Sequence, residues 1–180
     1  NLSNMIGFNF RMGEIEAALG IEQLKKLPQI IKEKVEWAGM LSDGLSKLNG
    51  LRTPIVKQHC SHVYYAYPLL VDQKMTNTHR DNIFRALVAE GVPALGDRYV
   101  NFHLYPMYQK KIAYGSYGFP WTSELYKGNV NYSKGICPIA EDMNESRYIN
   151  IGLGLIRLDQ KKCNQIIRCF EKVWGQLDHL

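Results

Sequence analysis

An apolar stripe about nine helical turns long limits what this chain can fold into. Ala17, Ile21, Leu24, Ile31, Val35, Ala38, Leu41, Leu45 and Leu48 recur at steps of three, four or seven, which is the repeat of one face of an α-helix. Glu22, Lys25, Lys26, Gln29, Lys32, Glu33 and Glu36 fill the other faces. The spacing predicts a helix from Gly13 to Leu48. Pro28 is expected to kink or split it, because proline lacks an N–H and crowds the preceding turn. A helix this long projects beyond a small domain and needs a partner surface, either another domain or another subunit.

Past the turn marked by Asn49-Gly50, His62 to Val71 is rich in aromatic and branched residues and reads as a strand. Pro68 suggests an edge or a bulge there. Thr78-x-x-Asp81 resembles a capping box for a helix through Glu90, with Ile83, Phe84, Leu87 and Val88 inward and Gly91 as its stop. Residues 92–135 are irregular and rich in Tyr, Gly and Asn, the style of a functional loop. Tyr148 to Leu153 reads as a strand. Asp159 is placed to cap a last helix whose core face is Cys163, Ile166, Ile167, Phe170, Val173 and Trp174. This order predicts an α/β sandwich of helices on a small antiparallel or mixed sheet.

Several function classes fall away on composition. With 180 residues, 46% of them apolar, the chain has material for a core and for one domain, or one domain plus an extension. No apolar run reaches membrane-spanning length, and no secretory signal is visible. The net charge of +5 is scattered, whereas a nucleic-acid binder needs it clustered on a face. Four cysteines without a CxxC pair read as buried free thiols of a reducing cytoplasm. His59-Cys60-x-His62 fits no standard zinc spacing, so no metal is expected. Gly152-x-Gly154 lacks the third glycine of a dinucleotide loop and reads as a close backbone approach. Tyr64, Tyr65 and Tyr67 read as packing on both faces of a strand. The first residue is Asn1, which suggests a piece of a longer protein or a processed product.

Gly7-Phe8-Asn9-Phe10-Arg11-Met12 sets an amide, a guanidinium and two aromatics just before the long helix. Two readings stand. Asn9 and Arg11 could form an anion or phosphate site at a helix N-terminus. Alternatively, Asn9 is a local cap and Arg11 is solvated.

The same segment, continued through Glu14-Ile15-x-Ala17-Ala18-Leu19-Gly20 and Gln23-Leu24-x-x-Leu27, resembles the DegT-type nucleotide-sugar aminotransferases. Gly91-Val92-Pro93, Tyr99 and Leu104-Tyr105-Pro106-x-Tyr108-Gln109 resemble that family's substrate-side loop. Lys134-Gly135-x-Cys137-Pro138-x-Ala140-Glu141 resembles a segment of its members in bacterial surface-sugar pathways.

The resemblance implies a pyridoxal-phosphate enzyme of fold type I, a homodimer with shared sites. It would move an amino group from glutamate or glutamine to a keto-sugar, in the cytoplasm. Residues 1–48 would be a site-proximal segment with an interdomain helix, and residues 49–180 a small C-terminal α/β domain. The Schiff-base lysine would lie upstream of this chain, which alone would be inactive and supplies no catalytic residue. The resemblance implies that Asn9 reaches the cofactor phosphate of the other subunit, and that Arg11, His103 and Tyr105 lie near the substrate. The other reading of the chain is a noncatalytic interaction module that keeps the domain without the active site.

Overall fold

A computed structural model describes residues 10–180. Helix α1 runs unbroken over Glu14–Leu45 with Pro28 inside it, so the expected split does not occur. Residues 21–30 are all exposed. The carbonyl that loses its partner at the proline therefore faces water rather than a closed core. The stripe divides at mid-helix. Leu24 is 65% exposed, whereas Ala38, Leu41 and Leu45 are fully buried. Among the described residues, the C-terminal half of the helix finds its partner chiefly in helix α6 (Gln160–Trp174).

Four short strands, β1 (Leu51–Arg52), β2 (Tyr67–Val71), β3 (Leu95–Gly96) and β4 (Tyr148–Ile151), form one antiparallel sheet in the order β1-β2-β4-β3. Tyr67, Leu69 and Val71 alternate inward with Ile149 and Ile151, as period-two strands with one buried face should. Cys163, Ile166, Phe170 and Val173 of α6 close the core, together with Ile83 and Leu87 of α3 (Arg80–Ala89). Two very short helices, α2 (Gln73–Thr76) and α4 (Pro106–Gln109), and α5 (Pro138–Asp142) sit in the connections.

Several local expectations need correction. The strand begins at Tyr67 rather than His62. Tyr64 has φ +50°, and its N–H donates to His62 Nδ1 at 2.9 Å, which turns the chain before the sheet. Tyr64 and Tyr67 are buried, but Tyr65 faces solvent. Pro68 lies in a central strand, yet β1 pairs only with Leu70 and Val71, so that side of Pro68 is locally an edge. Helix α3 is capped by His79, whose ring accepts from Asp81 N; the Thr78 hydroxyl donates instead to the carbonyls of Thr76 and Leu177. Val88 is half-exposed rather than inward.

Other expectations hold. Gly91 follows α3 with φ +82°, and Asp159 accepts from Lys162 N at 2.8 Å to cap α6. Gly154 donates to the Tyr65 carbonyl at 3.0 Å. A Cβ there would lie 3.1 Å from that oxygen, so the glycine serves a close approach. Cys163 is buried and Cys169 half-buried, but Cys60 and Cys137 are exposed. The buried-thiol reading therefore holds for only two of the four.

Candidate functional site

The segment leaving β3 has little apolar burial, and polar side chains hold it. Arg80, fully buried in the first turn of α3, is the first anchor. Its guanidinium donates to the carbonyls of Asn144 (3.1 Å) and Glu145 (2.8 Å) and pairs with the Asp97 carboxylate at 3.3 Å. Nε faces Asp81 at 3.2 Å as an ion pair, without the alignment of a hydrogen bond. Burial works against ionisation of Asp97, but the hydrogen bond from Arg98 and the charges of Arg98 and Arg80 hold its carboxyl below the usual range. Asn144 Oδ1 accepts from Tyr99 N at 2.6 Å, which fixes the next step of the loop. The Tyr99 ring itself is exposed.

A single 3₁₀ turn at Phe102–Leu104 follows, and Pro106 opens α4 where its missing N–H is harmless. Gln109 at the end of α4 donates its side-chain amide to the carbonyls of His103 and Tyr132. Tyr108, Trp121 and Tyr132 pack their rings together, with centroids 5.2–6.3 Å apart, and Trp121 Nε1 donates to the Tyr132 hydroxyl at 3.0 Å.

The Lys134–Glu141 motif closes the loop. Gly135 adopts φ +99°, a conformation that favours glycine, and Pro138 begins α5. One turn on, the Glu141 side chain folds back over its own helix start. Its carboxylate accepts from Gly135 N (2.8 and 2.9 Å) and Cys137 N (3.2 Å), much as a capping box does. It also lies 2.8 Å from His103 Nε2. The two side chains are only 11% and 7% exposed. Burial opposes ionisation of Glu141. The hydrogen bond with His103, then the N–H groups of Gly135 and Cys137, outweigh it and hold the carboxyl below the usual carboxylate range.

The four expected site residues fare differently. His103 sits in the polar hub just described. Tyr105 lies two residues on, its ring exposed and edge-on to Phe102 at 5.6 Å. Arg11 is exposed, without a hydrogen bond or ion pair among the described residues. It lies about 40 Å along the helix from Ala38, the first fully buried position. No contact among the described residues joins it to His103. Asn9 lies outside the described residues. In the sequence Glu141 stands only as the end of a motif, with no site role, and Arg80 does not stand out at all. A glutamate one turn after Cys-Pro is a readable capping signal. Arg80 has none, since an arginine in the first turn of a helix is ordinarily solvated.

Among the described residues, no group of three His, Cys, Asp or Glu could hold a metal, and no helix is long and apolar enough to cross a membrane.

The chain is 32% identical over 125 residues to the spore coat polysaccharide biosynthesis protein SpsC of Bacillus subtilis, covering 69% of this chain and 32% of SpsC. It is 34% identical over 110 residues to the UDP-4-amino-4,6-dideoxy-N-acetyl-beta-L-altrosamine transaminase of Helicobacter pylori, covering 59% and 27% of the two. The chain spans about a third of the length of the curated relatives it matches. In three dimensions it resembles an aminotransferase from Psychrobacter cryohalolentis, with TM-score 0.69, 19% identity, and coverage of 97% of this chain and 42% of that one. That likeness shows that the chain shares part of an aminotransferase fold. The sequence profile of one family matches residues 1–151, and on that match the chain belongs to the DegT/DnrJ/EryC1/StrS aminotransferase family.

Proposed function

We propose that the protein containing this chain transfers an amino group from glutamate or glutamine to a nucleotide-linked keto-sugar in surface-polysaccharide biosynthesis. The observation that carries the reading is the family match over residues 1–151. His103 and the motif residue Glu141 meet within that span, at a loop of the kind that carries specificity. The names of the relatives from Bacillus and Helicobacter favour sugars over other acceptors.

Family membership implies pyridoxal phosphate as the cofactor, which supplies the electron sink for amino transfer. The described residues alone do not fit it. Every lysine except Lys34 is exposed, and Lys34 donates to the Leu153 carbonyl. None therefore offers an amine inside an enclosed polar cavity. We assign the Schiff-base lysine to a part of the protein outside residues 10–180 and regard this chain alone as inactive. In this reading residues 1–48 are the site-proximal segment and interdomain helix, and residues 49–180 are the small domain. Asn9 serves the cofactor phosphate of a partner subunit and Arg11 the substrate surroundings. His103 and Tyr105 line the sugar side. The exposed half of α1 supports this division, because its apolar stripe calls for a cover that residues 49–180 do not supply. In this reading the enzyme works in the cytoplasm.

The test uses the full-length protein charged with its cofactor. Glutamate or glutamine should change the cofactor absorbance, and a UDP-linked 4-keto-6-deoxy-hexosamine should reverse the change while gaining an amine detectable by mass. An absorbance that no amino acid alters would sink the reading.

A further inference from the structure

The hub at Glu141 does more than close a turn. Its carboxylate receives two backbone N–H groups, Gly135 and Cys137, from the start of its own helix. With those bonds made, the oxygen that faces His103 cannot swing away. An ionised carboxylate only accepts, so at 2.8 Å the proton of the shared bond must belong to His103 Nε2. In a neutral imidazole that leaves the lone pair on Nδ1. No described residue partners Nδ1, and the ring keeps 11% of its surface open. The Gln109 amide holds the His103 carbonyl at 2.6 Å, so the backbone carrying the ring is fixed too. A carboxylate that fixes one ring nitrogen and thereby defines the other is a recurrent way to prepare a histidine for a ligand.

We propose that Glu141 is a positioning residue that locks His103 in the Nε2–H tautomer, so that Nδ1 accepts a hydrogen bond from a hydroxyl of the sugar substrate. This rests on the aminotransferase reading above.

The full-length, cofactor-charged protein labelled with ¹⁵N tests it. Ring nitrogen shifts report the tautomer, and the signal missing from a His103→Phe variant assigns His103. In the wild type, Nε2 should be protonated and Nδ1 bare. In Glu141→Ala the tautomers should mix. KM for the UDP-linked 4-keto-6-deoxy-hexosamine should rise about three- to tenfold, the worth of one ordinary hydrogen bond, while KM for glutamate stays unchanged. Glu141→Gln, whose amide oxygen can still accept from Nε2, should restore both readouts toward wild type. A merely structural clamp would move neither the tautomer nor one KM alone. A protonated Nδ1 in the wild type overturns the proposal. So does an unchanged tautomer and sugar KM in a folded Glu141→Ala protein. If that variant does not fold, His103→Phe decides, because it leaves the turn clamp intact; an unchanged sugar KM there also overturns it. If the wild type transfers no amino group to any keto-sugar, the function reading fails and the sugar half of the proposal falls with it. The ¹⁵N shifts still decide whether Glu141 locks the ring.

Discussion

The sheet with its helices and the loop from Asp97 to Glu141 are held by different forces. In the first, Tyr67, Leu69, Ile149, Ile151, Ile166 and Phe170 leave water almost completely. Burial of apolar surface is non-directional and tolerant of detail. In the second, a few polar groups carry the geometry: Arg80 on Asp97 and two carbonyls, Asn144 on Tyr99, Gln109 on His103 and Tyr132, Glu141 on Gly135, Cys137 and His103. Such bonds are directional and fail when a single partner is removed. The apolar half of the molecule supplies stability, and the polar half supplies a defined arrangement around His103.

The largest effect should come from the core. Phe170→Ala removes a fully buried ring stacked on Trp174 and should destabilise the fold by about 3–5 kcal/mol, read from the denaturant midpoint. A shift below about 1 kcal/mol would mean that α6 is not the central support assumed here.

Arg80→Met comes next and tests whether one polar group rivals the core. It takes the buried cation away from the Asp81 and Asp97 carboxylates, which keep only Arg98 among the nearby guanidinium groups, and from the carbonyls of Asp97, Asn144 and Glu145. Both acids are partly exposed, so the loss should be at the lower end for a broken buried pair, about 3 kcal/mol. Proteolysis within 97–135 should accelerate more than global unfolding does. Equal acceleration of both would erase the distinction between the two regions.

Glu141 sharpens the comparison through pH. Its carboxyl ionises below the usual range in the folded protein. The clamp therefore contributes fully above the ordinary carboxylate range and is lost as pH falls through the lowered folded value. Protease sensitivity of the 134–141 turn should rise in acid and be pH-independent in Glu141→Ala. A turn that stays protected in the wild type well below the ordinary carboxylate range would separate its order from the charge.

The smallest effect on stability belongs to the exposed half of α1. Leu24→Glu should change unfolding free energy by no more than about 0.5 kcal/mol, because Leu24 is mostly exposed among the described residues. The same change should reduce any self-association measured by sedimentation, since a solvent-facing apolar stripe seeks a partner. A large loss of stability would show that this half of the helix is supported from within the chain.

Much of the first region was legible in the sequence. Period-3.6 and period-2 patterns marked α1, α3, α6, β2 and β4, and Asp159 marked a cap, because local geometry and burial leave a repeat in residue type. The resemblance of the motifs to one family placed His103 and Tyr105 on a single loop. Little of the clamp network was legible. No repeat announces that Arg80 is buried, that His79 rather than Thr78 caps α3, or that Tyr64 breaks the strand ahead of Tyr67. Those outcomes depend on which groups lie opposite across 17, 38 or 64 residues of chain. Where apolar surface must be hidden was readable from residue order alone, since it follows from the spacing of side chains along one element. Which half of the α1 stripe is covered within residues 10–180, and the meeting of Glu141 with His103, came from the fold. Directional bonds between distant segments exist only once the core has brought those segments together.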